Sequence, residues 1–127
     1  MNIQEAQRLG NTLKHLPAFR WVDGMRAMWF ERGWRVVATD STGALALHDG
    51  TEIQARHVPD LRNPATLGAL LWLVREAHND DRVVAASYAA GLRWVACRGQ
   101  NTGGGLIIGD EKESEAEALV AALEAAP

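Results

Sequence analysis

The sequence predicts an α+β fold, and three observations carry that prediction. Residues 63–78 form an apolar run at helical spacing that opens on Asn63-Pro64. Around it lie short runs of β-forming residues, separated by Asp23-Gly24, Asp49-Gly50 and similar turn pairs. Both ends of the chain repeat their apolar residues at the helical period. The expected order is an N-terminal helix, an antiparallel β-meander, the central helix, a second β-hairpin with a further strand, and a C-terminal helix. All of it fits a single α+β domain over residues 1–127, long enough to bury roughly two-thirds of its unfolded surface.

Ile3, Ala6, Leu9, Leu13 and Leu16 recur near the helical period, so residues 3–15 read as an amphipathic helix. Gly10 should weaken it, and Pro17 should end it, because the residue before proline avoids the α region. Residues 19–22, 25–31, 34–39, 44–48 and 51–57 then read as strands. The breaks between them fall at Asp23-Gly24, Arg32-Gly33, the run from Asp40 to Gly43, and Asp49-Gly50. Asp-Gly between such runs is a hairpin signal, since a type I′ turn needs positive φ at both central residues.

For the central helix, the Asn63 side chain can accept from a free N–H at the helix start, and Pro64 has no N–H to leave unpaired there. At 100° per residue, Leu67, Leu70, Leu71, Val74 and Ala77 share one face, and Gly68, Trp72, Arg75 and Glu76 the other. Asn79-Asp80-Asp81 is a polar break. Residues 82–88 and 92–98 read as a hairpin around Ala90-Gly91, followed by a glycine-rich loop at 99–105 and a short strand at 106–109. Ser114 and Glu117 match a capping box, and Ala116, Leu119, Val120 and Leu123 give the last helix its apolar stripe.

Composition narrows the setting. Cys97 is the one cysteine, so no disulfide can form within the chain, which suits a reducing cytoplasm. The start MNIQEAQRLG is too polar for a secretory signal, and the apolar run 67–74 is too short to span a bilayer. A cytoplasmic protein with no membrane role is therefore expected. The net charge is −3, but residues 1–109 carry 12 basic against 10 acidic residues, so the acidity sits in residues 110–127. Eleven of the 13 basic residues are arginine, whose planar guanidinium bonds carboxylates in pairs.

Trp72 is the first candidate contact residue, because an indole on the polar side of an apolar helix has two explanations. Either a second layer covers Gly68 and Trp72, or Trp72 with Arg75 and Glu76 meets a partner, as tryptophan and arginine do at binding hot spots. Arg20-Trp21, Trp34-Arg35 and Arg93-Trp94 predict strands with tryptophan toward the core and arginine toward water. Such pairs can also stack nucleic-acid bases, but the acidic balance argues against a nucleic-acid partner. The loop at 99–105, with Gly103, Gly104 and Gly105, could turn backbone N–H groups toward an anion, joined by Arg93 and Arg98. It fits neither the Walker nor the dinucleotide pattern.

His48, Asp49 and His57 could approach one another across the Asp49-Gly50 turn, yet no HxH or HExxH spacing supports a metal site. Cys97 reads as an inert buried thiol. Ser41, Ser87 and Ser114 sit in no nucleophile elbow, so no catalytic residue, metal or cofactor is expected.

The run from Asp60 to Ala77 matches the pattern DLxxPATLGxLLxLVREA. With FRWVDGM at 19–25 and EAEALVAALEAAP at 115–127, it resembles short proteins encoded by bacteriophages and prophages, over most of the chain. The resemblance implies a phage context in the bacterial cytoplasm and transfers no catalytic residues. By analogy with small acidic phage proteins, it implies a non-enzymatic accessory protein that binds a host or phage protein, as an inhibitor of a host or defence system or as a homodimer. The other reading is a small anionic-ligand or nucleotide-binding protein using the loop at 99–105 and its neighbouring arginines.

Overall fold

The computed structural model describes residues 1–88, 90–98 and 107–127. It has an α+β fold, with three helices and two antiparallel sheets among the described residues. The chain divides into two compact units, Met1–His15 with Phe19–Ala69, and Leu16–Ala18 with Leu70–Pro127.

In the first unit, α1 (Ile3–Lys14) is capped by the Asn2 side chain, which accepts from the Glu5 N–H at 2.8 Å. Its buried face is Ala6, Gly10 and Leu13, packed along the strand Val58–Pro59. Gly10, expected to weaken the helix, is what permits this contact. A Cβ there would stand 2.5 Å from the Pro59 carbonyl oxygen.

The first sheet holds β1 (Arg26–Trp29), β2 (Arg32–Ala38), β3 (Leu45–Leu47) and β4 (Val58–Pro59), in the order β3-β2-β1-β4. Consecutive strands β1, β2 and β3 form the expected meander, but β4 returns beside β1, so the arrangement is that of a Greek key. The core cluster here is Ala6, Met28 and Val58.

Three expectations for this unit are corrected. No strand forms at 19–22, where the rings of Phe19 and Trp21 meet edge to face and Met25 N–H closes a turn onto the Val22 carbonyl. Residues 51–57 form no strand, because side chains capture their backbone donors. Asp49 Oδ1 accepts from Thr51 N–H at 3.0 Å, and His57 Nδ1 accepts from Gln54 N–H at 2.9 Å. Finally, the β1–β2 turn lies at Phe30-Glu31, since Trp29 pairs with Arg32. Gly33 thus sits inside β2, where the Arg26 guanidinium fills the space a side chain would need.

The helix α2 (Pro64–Ala77) begins as expected, with Asn63 Oδ1 accepting from Ala65 N–H at 3.0 Å and Thr66 N–H at 3.2 Å. Thr66, Leu70, Leu73 and Val74 are its buried residues, whereas Leu67 and Leu71 are half-buried, so the apolar face is turned from the expected one toward Leu73.

In the second unit, β5 (Val83–Tyr88), β6 (Arg93–Arg98) and β7 (Ile107–Lys112) form a sheet in that order. The hairpin turn carries Ala90 at φ 59° and Gly91 at φ 83°. Packed across these strands is α3 (Glu115–Glu124). Ser114 caps it, accepting from Glu117 N–H at 3.1 Å, and its hydroxyl donates to Glu117 Oε1 at 3.0 Å. Leu119, Val120 and Leu123 are buried with Ala116, Ala118 and Ala122.

Candidate functional site

At its C-terminal end α2 stops in a Schellman motif. Asp80 N–H donates to the Arg75 carbonyl at 2.9 Å and Asn79 N–H to the Glu76 carbonyl at 3.1 Å, with Asn79 at φ 51°. The chain then turns into β5, and the bend leaves an open cavity of about 860 Å³. Trp72, Arg75 and Glu76 line it from the helix, Asn79 to Arg82 from the turn, and Arg98 from β6.

Asp80 organises the charges. Its Oδ1 accepts from the Arg82 backbone N–H at 2.9 Å and from Arg82 Nε at 3.2 Å. On the other oxygen, Oδ2, Arg98 Nε lies at 2.8 Å, a charge contact whose N–H is not aligned for a hydrogen bond. The Arg82 side-chain hydrogen bond holds the Asp80 carboxyl below the usual carboxylate range, helped by the Arg82 backbone N–H and by the charges of Arg82 and Arg98. Arg75 is tied to the start of β5, its Nε donating to the Val83 carbonyl at 2.8 Å. Three guanidiniums and three carboxylates thus meet around the Trp72 indole, which is 46% exposed. Such a balanced surface suits a partner of mixed charge better than a polyanion.

Trp72, Arg75 and Glu76 therefore come together, with Arg98 beside them. Gly68 lies on the same exposed stripe of α2 but does not line the cavity, and a Cβ added there would meet nothing within 4 Å. Gly68 and Trp72 are both exposed, and Trp72 keeps about half of its surface covered.

The second candidate set separates. By strand alternation Arg93 and Arg98 fall on opposite faces of β6. Arg93 Nε pairs with Glu111 Oε1 at 2.8 Å. Gly103, Gly104 and Gly105, with the rest of the loop at 99–105, lie outside the described residues.

The tryptophans are also less buried than expected. Trp21, Trp29, Trp34 and Trp94 are half-buried, and none belongs to the core. Trp34 does share a β2 face with buried Val36 while Arg35 is exposed on the other, but the Arg32 guanidinium sits 5.3 Å from its ring and keeps that edge at the surface. Cys97, expected to be buried, is half-buried beside buried Ala96. His48 Nδ1 accepts from Arg35 N–H at 3.0 Å, and buried His57 is held by Gln54, so the two imidazoles serve separate backbone donors. Among the described residues no three His, Cys, Asp or Glu side chains are grouped to hold a metal ion, and no helix is long and apolar enough to cross a membrane.

In the sequence Asn79, Asp80 and Asp81 read only as a break, and Arg82 does not stand out. The available signal was Asp-X-Arg, in which the carboxylate can take both the backbone N–H and the side chain two residues on. Compared with family models, curated proteins and solved structures, the chain matches none.

Proposed function

We propose that the protein is a non-enzymatic phage or prophage accessory protein that binds a host or phage protein through the cavity at the end of α2. The observation that carries this reading is the Trp72 indole, 46% exposed beside arginines already held by Asp80 and Val83. Arginines fixed before binding lose little rotamer freedom on contact, and tryptophan and arginine are both enriched among the hot spots of protein interfaces. Inhibition of a host or defence system follows if the bound surface is one its owner needs.

The test is a quantitative pull-down from bacterial host lysate with the tagged chain and with Trp72→Ala and Arg75→Ala. The expected result is at least one captured protein depleted more than about tenfold by Trp72→Ala. If every captured protein is unchanged by both substitutions, the surface assignment is wrong.

The second reading is a small anionic ligand, which would meet the three guanidiniums of the cavity together with its three carboxylates. A thermal-shift screen against nucleotides and inorganic phosphate separates the two. Stabilisation that Arg82→Ala and Arg98→Ala abolish would favour the ligand, and no shift with any anion would count against it.

A further inference from the structure

The first unit holds a second cavity, of about 790 Å³, between the solvent side of α1 and the tip of the β1–β2 hairpin. At that tip Phe30 has φ 55° and is 64% exposed. A bulky side chain in the left-handed region is strained, and glycine or asparagine would make the same turn more easily. The strain and the exposed ring are costs to the fold that a bound partner would offset. Its ring is set by Trp29, 5.1 Å away at 52°, and Trp29 in turn lies under the Arg56 guanidinium.

The α1 side of the groove presents Gln4, Gln7 and Asn11, whose amides each carry a donor and an acceptor. Gln7 Oε1 is buried and accepts no hydrogen bond among the described residues, a costly state that a partner's N–H would relieve after a small rotation of the amide. From Ile3 to Asn11 the helix stripe runs about 12 Å, the length of roughly four extended residues. Arg8 and Arg32 flank the groove against the single carboxylate of Glu31, leaving a positive excess.

We propose that this groove binds an extended peptide segment of a partner protein, with an apolar side chain between Ile3 and Phe30, a neighbouring Asp or Glu at Arg8 and Arg32, and its backbone on the Gln and Asn amides. The amides match a peptide backbone, the ring and Ile3 match one apolar anchor, and the charge excess selects an acidic flank. This surface is independent of the Trp72 cavity.

The probe is a library of randomised linear octapeptides, selected on the immobilised full chain. Enrichment of peptides that place Asp or Glu within two positions of a large apolar residue is expected. A selected peptide, synthesised and titrated, should bind Phe30→Gly at least tenfold more weakly, although Phe30→Gly melts no lower than the parent because glycine accepts that φ. The double variant Arg8→Glu with Arg32→Glu should switch enrichment toward Lys and Arg. No enrichment, enrichment indifferent to charge, or full binding by Phe30→Gly would overturn the proposal. So would self-association that Phe30→Gly abolishes, which would put a second copy of the chain in the groove.

Discussion

The two ends of α2 carry the same short motif in different surroundings. Before the helix, Asp60-Leu61-Arg62 places Asp60 Oδ1 on the Arg62 backbone N–H and Nε, at 3.1 and 2.9 Å, while Arg26 Nε approaches Oδ2 at 3.4 Å. After the helix, Asp80-Asp81-Arg82 repeats the arrangement, with Arg98 taking the place of Arg26. The first carboxylate belongs to a closed scaffold. Asp60 N–H donates to the Arg26 carbonyl, Arg26 N–H donates to Thr66 Oγ1 in the first turn of α2, and Asp60 and Thr66 are both buried. The second lines an open cavity beside an exposed indole. An acid just beyond a helix C-terminus also faces the negative end of the macrodipole, so Asp80 depends on its two arginines more than its position would favour. The same three-residue grammar therefore builds a brace at one end and lines an open cavity at the other. What surrounds the carboxylate decides between them.

The sharpest way to break this comparison is to remove each carboxylate. Asp60→Ala strands a buried site and two guanidiniums that remain partly exposed, so urea unfolding should show a loss of about 2–4 kcal/mol. Asp80→Ala should cost less, since its partner Arg82 is 65% exposed against 37% for Arg62 although the two carboxylates are nearly equally covered, and equal losses would mean that the two motifs do the same job. Next in size, Gly33→Ala should destabilise by about 1–2 kcal/mol, because its Cβ displaces the Arg26 guanidinium from the place where it meets Asp60. At Gly68, which has open space around it, alanine should be neutral or slightly stabilising.

A smaller effect comes from pH. Burial, then the charges of Arg56 and Lys14, lower the His57 pKa from its ordinary 6.5. The unfolded chain then takes up a proton that the folded one resists, so stability is complete above pH 6.5 and falls as pH drops below it toward the folded value. Protonation at Nδ1 would also remove the acceptor for Gln54 N–H. His57→Gln should flatten this part of the stability profile between pH 7.5 and 5.5, whereas Trp72→Ala should leave it unchanged.

Much of the fold was legible because local rules and tertiary structure agree. Asn63-Pro64 and Ser114 with Glu117 cap their helices as their chemistry dictates, and Ala90-Gly91 turns its hairpin. Local rules mislead where a side chain outcompetes a backbone pattern. Asp49 and His57 hold residues that β propensity assigned to a strand, and Gly33 serves Arg26 instead of a turn. Such rules mislead again where distant residues approach closely, as Gly10 does Pro59. For the candidate site, helical spacing was enough to group Trp72, Arg75 and Glu76. Asp80, Arg82 and Arg98 were not legible as a group, because their meeting depends on how β6 lies beside the end of α2.

The most direct test of the central claim, a brace at one end of α2 and a contact surface at the other, is site-specific photo-crosslinking in bacterial host cells. A photoreactive amino acid is placed at Glu76, on the rim of the cavity, and in a second variant at Arg62, beside Asp60. Covalent adducts with another protein should form from position 76 and not from position 62. Adducts from position 62 alone, or equally from both, would contradict the account.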